Sequence, residues 1–512
     1  MYRSSVLLLA STATTAALGF LFWVVVARFY TPEQVGLATS LISATTLIAY
    51  LSLFGLNSTL IRFPASTLSR NGQLTQSLTL VGAVSCVVAA AYLTGLPLYG
   101  PKLLFVRDSR VLAAFFVLFC VCAAVNQLTD SVFISARVPQ YNVYVDGFLQ
   151  GVVKLALPVA LVGFGSVGIV GATGGGYAVA AIASVLLMWR RLGFRFDFRT
   201  RGTRLREQLG FSVASYASSL LNLVPLMVTP LIVLEQLGAE AAGYYYVAFQ
   251  IASLLNAVSF SVGESVFAEG SYDPSRFAVL LRRSAAVIAA VQVPAAAVVA
   301  GGSGLLLRLF GGSYGDRAQS LLMVLCVGAL AVALNTWASF ALKLTRQMTP
   351  LVVSNVVYAV VSIGLAFVWA PRGLVWLGWA WGAGNLASGL VALVALLHGR
   401  GRRPDAAPEP QHRQLPEYSE HPEHPGFPEP PYGPAHGGSR PPYPVPQQPP
   451  YGAQPPPYGP QPPPYGTQPP PYGTSYEAPY GRPYDSHRDH RERHDPRGQR
   501  EPGRPRTMEA RT

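Results

Sequence analysis

Lys154 is the residue whose type and setting point most directly to chemistry in this chain of 512 residues. It stands inside an apolar run, with Gln150 four and Asp146 eight positions before it. Those spacings stack the three side chains on one helical face. A cation within a membrane-spanning helix marks a contact for an anion by default. The other reading is a lysine two turns from the helix start whose ammonium snorkels to the interface. Arg62 closes another apolar run and is open to the same two readings, an anionic ligand or anionic lipid head groups. Asp130 and Glu264 are acids at the ends of apolar runs and are the candidates for exchange of a coupling ion. Asp130 and Arg137 share a face if their helix continues to Pro139, and capping or packing is the alternative for Glu264. All of this is non-covalent chemistry. There is no Gly-Lys-Ser/Thr phosphate loop, no long loop between runs to carry an active site, and no catalytic constellation. "GATGGG" at 171–176 lies in an apolar stretch and reads as close helix packing. No enzyme activity and no cofactor are expected.

These residues are positioned by helices that cross a membrane. Half of the chain is hydrophobic and only 12% is charged, against about 25% in soluble domains. Apolar runs fall near 5–27, 36–57, 77–99, 111–129, 147–165, 168–189, 210–234, 244–266, 284–307, 319–341, 350–370 and 373–397. Each is about 20 residues long, the length that spans the hydrocarbon core as a helix. The expected fold is an all-α polytopic membrane protein of twelve helices. The first run is too long, and lacks the small-residue site, for a cleaved signal peptide. Cys86, Cys120, Cys122 and Cys326 lie within apolar runs and act as small hydrophobes; neither a disulfide framework nor a metal site follows.

The net charge of +13 is no nucleic-acid signature. Up to Arg403 the chain holds 27 Lys and Arg against 12 acids, while the remainder holds 11 against 13. Of the 26 loop cations in the membrane part, 19 fall in one alternate set of loops, including seven arginines between Arg190 and Arg206. The excess of cations marks the cytoplasmic side and places both termini there. Only three lysines accompany 35 arginines, a bias that suggests a GC-rich bacterial source.

The membrane part contains a repeat. The break "ARFYTPEQVG" between runs 1 and 2 returns 207 positions later as "VLEQLGAEAAG" between runs 7 and 8. Aligning Gly36 with Gly243 matches Glu33 with Glu240 and sets Arg28 opposite Glu235. In the same register Thr39, Ser43 and Thr46 fall on Tyr246, Gln250 and Ser253, and Ser11 and Thr15 on Ser218 and Asn222. Two parallel repeats of six helices are therefore expected, residues 1–207 and 208–403, a standard transporter plan. Thr15, Ser43, Asn222 and Gln250 either line a central cleft or form ordinary interhelical hydrogen bonds. Gly36 and Gly243 are assigned to a tight turn into the following helix.

The first hairpin, "ARFYTPEQVGLATSLISATTLIAYLSLFGLNSTLIRF", resembles that of the bacterial oligosaccharide flippases (O-antigen type) of the multidrug/oligosaccharidyl-lipid/polysaccharide exporter superfamily. Arg28, Pro32-Glu33, Gly36, Gly55-Leu56 and Arg62 carry the likeness, which extends to about residue 400. It implies two six-helix lobes around a cleft bordered by helices 1, 2, 7 and 8. The cleft opens alternately to each side, and the cargo is an oligosaccharide on a polyprenyl diphosphate, moved across the cytoplasmic membrane for envelope or exopolysaccharide assembly. Lys154, Gln150, Arg62, Thr15, Ser43, Asn222 and Gln250 are then the substrate-binding candidates, with Lys154 and Arg62 placed to meet the diphosphate. Membrane lipids, and glycosyltransferases or a polymerase of the same pathway, are the implied partners. A cation-coupled drug exporter of the same superfamily, a lipid II flippase, and a non-transporting scaffold for glycan-synthesis enzymes are the alternatives.

From about Pro404 the chain is rich in Pro, Tyr and Gly, with "PPPYG" repeated and Tyr451, Tyr458, Tyr465 and Tyr472 seven apart. Such a segment cannot bury enough apolar surface to form a core. It reads as a disordered cytoplasmic tail, a spacer or a weakly self-associating tract. His487, His490 and His494 lie among charges and are not assigned a metal.

Overall fold

The computed structural model describes residues 17–62, 70–198, 205–272, 277–345 and 347–398; the side chains of 62, 205–215, 264, 267–272 and 277 fall outside it. Thr15, the tail from 404 onward, and the side chains of Arg62 and Glu264 thus lie outside the described residues.

Among the described residues, eleven helices are long and apolar enough to cross a membrane, and Ala17–Phe29 is the described part of the first span. In chain order they are α1 (Ala17–Phe29), α2 (Pro32–Ser52), α3 (Arg70–Tyr99), α4 (Arg110–Ser135), α5 (Gln140–Ala160) and α6 (Ser166–Leu192). The second set is α7 (Leu205–Leu237), α8 (Ala239–Tyr272), α9 (Phe277–Gly301), α10 (Gly312–Leu344), α11 (Met348–Trp369) and α12 (Leu374–His398). The chain is a multi-pass membrane protein.

Packing repeats with the sequence. In the first set α2 packs on α3 and α4, α4 on α3 and α6, and α5 on α6; in the second α8 packs on α9 and α10, α10 on α9 and α12, and α11 on α12. These contacts correspond in the two sets, six helices apart. Helix α2 is the most enclosed: 72% of its apolar stretch is buried, against 28% for α3. It lies on α7 and α8 of the other repeat as well as on its own neighbours.

Small residues set how closely the helices approach. A methyl on Gly174 would overlap the ring of Phe119 in α4, which bears out the packing reading of the glycine run. In the second repeat α10 and α12 meet through backbone, where a Cβ on Gly382 would stand 3.2 Å from the Gly328 Cα.

The α1–α2 hairpin turns at Thr31. Its hydroxyl accepts from the Gln34 backbone N–H at 3.3 Å, and Gln34 Oε1 accepts from the Thr31 N–H at 3.1 Å. This is a reciprocal cap with Pro32 in the first turn. Gly36 is therefore not the turn residue: it sits in the second turn of α2, where a Cβ would overlap the Ala239 carbonyl. Gly243 is likewise placed against Pro32, whose carbonyl its Cβ would overlap. Both glycines permit backbone contact between repeats rather than a bend.

Two further expectations are corrected. Helix α4 stops before Arg137, so Asp130 and Arg137 do not share a face. Arg137 is left-handed at φ 60°, its N–H bonds to Ile134 O at 3.0 Å, and the Val138 N–H bonds to Phe133 O at 2.9 Å. That closure ends the helix ahead of Pro139, which disfavours helical geometry at the residue before it. Helix α5 begins at Gln140, seven residues earlier than its hydropathy suggests, and ends at Ala160.

Candidate functional site

The start of α5 decides the setting of Lys154. Fourteen residues separate it from Gln140, about 20 Å along a helix, well beyond the reach of a lysine side chain. Snorkelling to that interface is excluded by length. The side chain instead turns back along its helix, as helical side chains do, and Nζ donates to Gln150 Oε1 at 2.7 Å. The ammonium also lies 4.2 Å from the centroid of the Tyr177 ring on α6, a cation–π geometry. A Cβ on Gly176 would stand 2.7 Å from Lys154 Cγ, so the glycine leaves room for the lysine stem.

From Gln150 the hydrogen bonds continue into the first repeat. Gln150 Nε2 donates to Asn126 Oδ1 at 2.8 Å, and Asn126 Nδ2 donates to Asp146 Oδ1 at 2.8 Å. Asn126 and Gln150 are buried, at 4% and 9% exposure. The Asp130 carboxyl lies beside that of Asp146, and its Oδ1 is buried with no hydrogen-bond partner among the described residues. Residues 143–149 of α5 form a π-helical turn. One wide turn of this kind shifts the register of the residues before it; Asp146 lies within it and meets the same Asn126 that Gln150 reaches.

In the second repeat, Tyr246 stands on α8. The Tyr246 ring packs 4.6 Å from that of Trp23 on α1, and Gln250 Nε2 lies 3.5 Å from the Tyr246 hydroxyl. A polar path thus runs from Asp146 through Asn126 and Gln150 to Lys154 and Tyr177 within the first repeat, with Asp130 beside its acidic end; Tyr246 and Gln250 form a separate polar pair on α8. The counterpart network within the second repeat is neutral. Asn335 Nδ2 donates to Asn385 Oδ1 at 3.1 Å, the Ser388 hydroxyl donates to Asn335 Oδ1 at 2.9 Å, and Asn355 contacts Ser218. That set ties α7, α10, α11 and α12 together, whereas the charged groups of the path belong to the first repeat.

The other candidates are distributed differently. Ser43 is buried at 2% exposure, Gln250 is half-buried and Asn222 is exposed, with its amide donating to Ser218 O at 3.1 Å. Thr39, Thr46 and Ser253 donate to carbonyls of their own helices. Arg62 ends the short helix Leu56–Arg62 that follows α2. Sequence reasoning missed Asn126 and Tyr177. The available signal for Asn126 was its position four residues before Asp130 on an otherwise apolar helix.

The family described as polysaccharide biosynthesis protein matches residues 1–267, over half of the chain. The chain belongs to that family. A search of curated protein sequences finds no match. Among solved structures, this polysaccharide biosynthesis protein is similar to the lipid II flippase MurJ in an inward closed conformation. The TM-score is 0.64 at 11% identity, over 77% of this chain and 87% of that one. It is also similar to an inward-facing multidrug resistance transporter of the MATE family and MOP superfamily, with a TM-score of 0.58 at 15% identity, over 76% and 94% of the two chains. A third is a MOP superfamily transporter from Pyrococcus furiosus, at TM-score 0.51 and 16% identity, over 77% and 92%. The family and the fold agree with the resemblance carried by the first hairpin.

Proposed function

We propose that this protein is a flippase that moves a polyprenyl-diphosphate-linked oligosaccharide across the cytoplasmic membrane by alternating access. One observation carries the reading. Lys154, deep in a span, has a neutral amide and an aromatic face as the partners of its ammonium, so its charge is left for an anion. A diphosphate cannot enter hydrocarbon without partners, and a cation held between α5 and α6 would receive it while the prenyl chain stays in the bilayer. Gln150 and Tyr177 orient the ammonium; Gln250, Asn222, Ser43, Thr15 and Arg62 are proposed to line the route of the sugar chain. The Asp130–Asp146 pair, joined to Lys154 through Asn126 and Gln150, is the proposed coupling site, with Glu264 as a second candidate. Residues 1–207 and 208–403 act as the two moving lobes. The lipid-linked glycan is the principal partner, and pathway enzymes meet the chain at its cytoplasmic side.

The test is reconstitution in liposomes with a fluorescent polyprenyl-diphosphate oligosaccharide, scoring its appearance in the opposite leaflet. The native protein should translocate it. Lys154→Ala should abolish translocation at unchanged abundance, and Lys154→Arg should retain part of it, since charge survives while geometry changes. A fully active Lys154→Ala protein removes Lys154 from the site; no translocation by the native protein refutes the substrate class.

A further inference from the structure

The hairpin ends of the two repeats meet through contacts that repeat themselves. Arg28, in the last turn of α1, donates from Nε to Leu309 O at 2.7 Å and from Nη2 to Arg308 O at 3.3 Å. Lys102, after α3, donates from Nζ to Leu234 O at 2.7 Å and to Glu235 O at 3.0 Å. The offset of 207 that pairs Gly36 with Gly243 also pairs Arg28 with Glu235 and Lys102 with Leu309. Each cation therefore lands on the backbone at the position equivalent to the other cation. The glycine crossings obey the same rule. Gly36 is fitted to Ala239 and Gly243 to Pro32, and the offset carries Pro32 to Ala239. All four contacts map onto one another, as in an isologous interface between two copies of one patch.

We infer that these contacts form a paired latch: Arg28 and Lys102 hold the hairpin ends of the two repeats together, and both latches release when the repeats part at that end. The carbonyls they grip lie at helix ends, at Arg308–Leu309 after Ser303–Arg308 and at Leu234–Glu235 in the last turn of α7. Carbonyls at a helix end carry the negative pole of the helix; Leu234 O also accepts from the Gly238 N–H at 3.1 Å. The glycine crossings supply close fit, and the two exposed cations supply a contact that can be broken into water at small cost. Neither crossing is possible with a side chain at Gly36 or Gly243, so the closed end is specific to this pair. This inference rests on the alternating-access reading for its biological use, but its test needs no cargo.

Ser40 is fully buried one turn beyond Gly36, with its hydroxyl near Pro230 O across the seam at 3.4 Å. A single cysteine there, in purified protein whose four native cysteines are replaced, reports opening through its rate of reaction with a hydrophilic maleimide. Arg28→Gln and Lys102→Gln should each raise that rate about two- to fivefold, the range expected for an exposed cation at a helix C-terminus, and the double variant should multiply the two. Thr31→Cys, exposed on the hairpin, should label equally in all backgrounds. Gly36→Leu should leave Ser40→Cys constantly reactive; both cations are exposed, so the glutamine variants serve even if that protein does not fold. An unchanged rate in the double variant, or an effect from one cation alone, overturns the paired latch. A protein that passes this test yet moves no lipid-linked glycan retains the latch and loses only the proposed cargo.

Discussion

At the scale of single residues, Asn126 is the hinge of the polar path, because its amide satisfies two partners at once: it accepts from Gln150 and donates to Asp146. A buried polar group that loses its partner typically costs about 1–3 kcal/mol in unmet hydrogen bonding, and more when it is charged. Asn126→Leu should therefore lower thermal stability modestly. It should also uncouple Lys154 from the acids, so that translocation falls more steeply than stability; Asn126→Asp, which still accepts from Gln150, should restore part of it. Equal losses of both properties in the two variants would reduce Asn126 to packing. Cysteine reactivity separates cleft from packing along the polar stripe. Asn222 and Gln250 should react with small hydrophilic reagents in the resting protein, whereas Ser43, buried at 2% exposure, should react only as the repeats part. Inertness of all three, with tolerance of Trp at each, would leave the stripe as interhelical contact.

At the scale of elements, much was legible and the omissions have definite causes. The spans appear in the sequence because an unbroken run of eighteen or more apolar residues matches the thickness of the hydrocarbon core and little else. The repeat appears because its two hairpins keep their glycines and acids in register. The start of α5 was hidden because "QYNVYVDG" is too polar for a hydropathy reading, although it continues the helix. The partners of Arg28 and Lys102 were hidden for another reason: both cations grip backbone carbonyls, which leave no mark on side-chain identity. The π-helical turn at 143–149 is invisible to a 3.6-residue period for the same physical reason that it matters, since it accommodates one residue more than an α-helical turn. Removing that residue provides a test. Tyr144 is exposed at 54% and its deletion should allow α5 to close as an α-helix of nearly the same length. Asp146, which lies within the wide turn, would take α-helical spacing to Lys154, and the residues before it would rotate by about 100° and withdraw Asn142, which donates to Asp130 O at 3.2 Å. Translocation should fall while membrane insertion, followed by abundance in the membrane fraction, stays unchanged. A deletion that retains full activity would make the wide turn a tolerated irregularity.

At the scale of the whole molecule, the loop charges predict which way the protein faces. The hairpin ends that carry Arg28 and Lys102 belong to the alternate set of loops with only 7 of the 26 loop cations, while the seven arginines from Arg190 to Arg206 belong to the other set. Positive loops remain cytoplasmic during insertion, so the latched end should face outward and a route to Lys154 should open from within. In intact cells, a cysteine at Thr31 should react with a membrane-impermeant thiol reagent, and cysteines at Thr203 and Thr474 should react only after lysis. Labelling of Thr203 in unlysed cells would invert the topology and, with it, the side on which the latch closes; the latch itself would survive, because its contacts do not depend on which compartment they face.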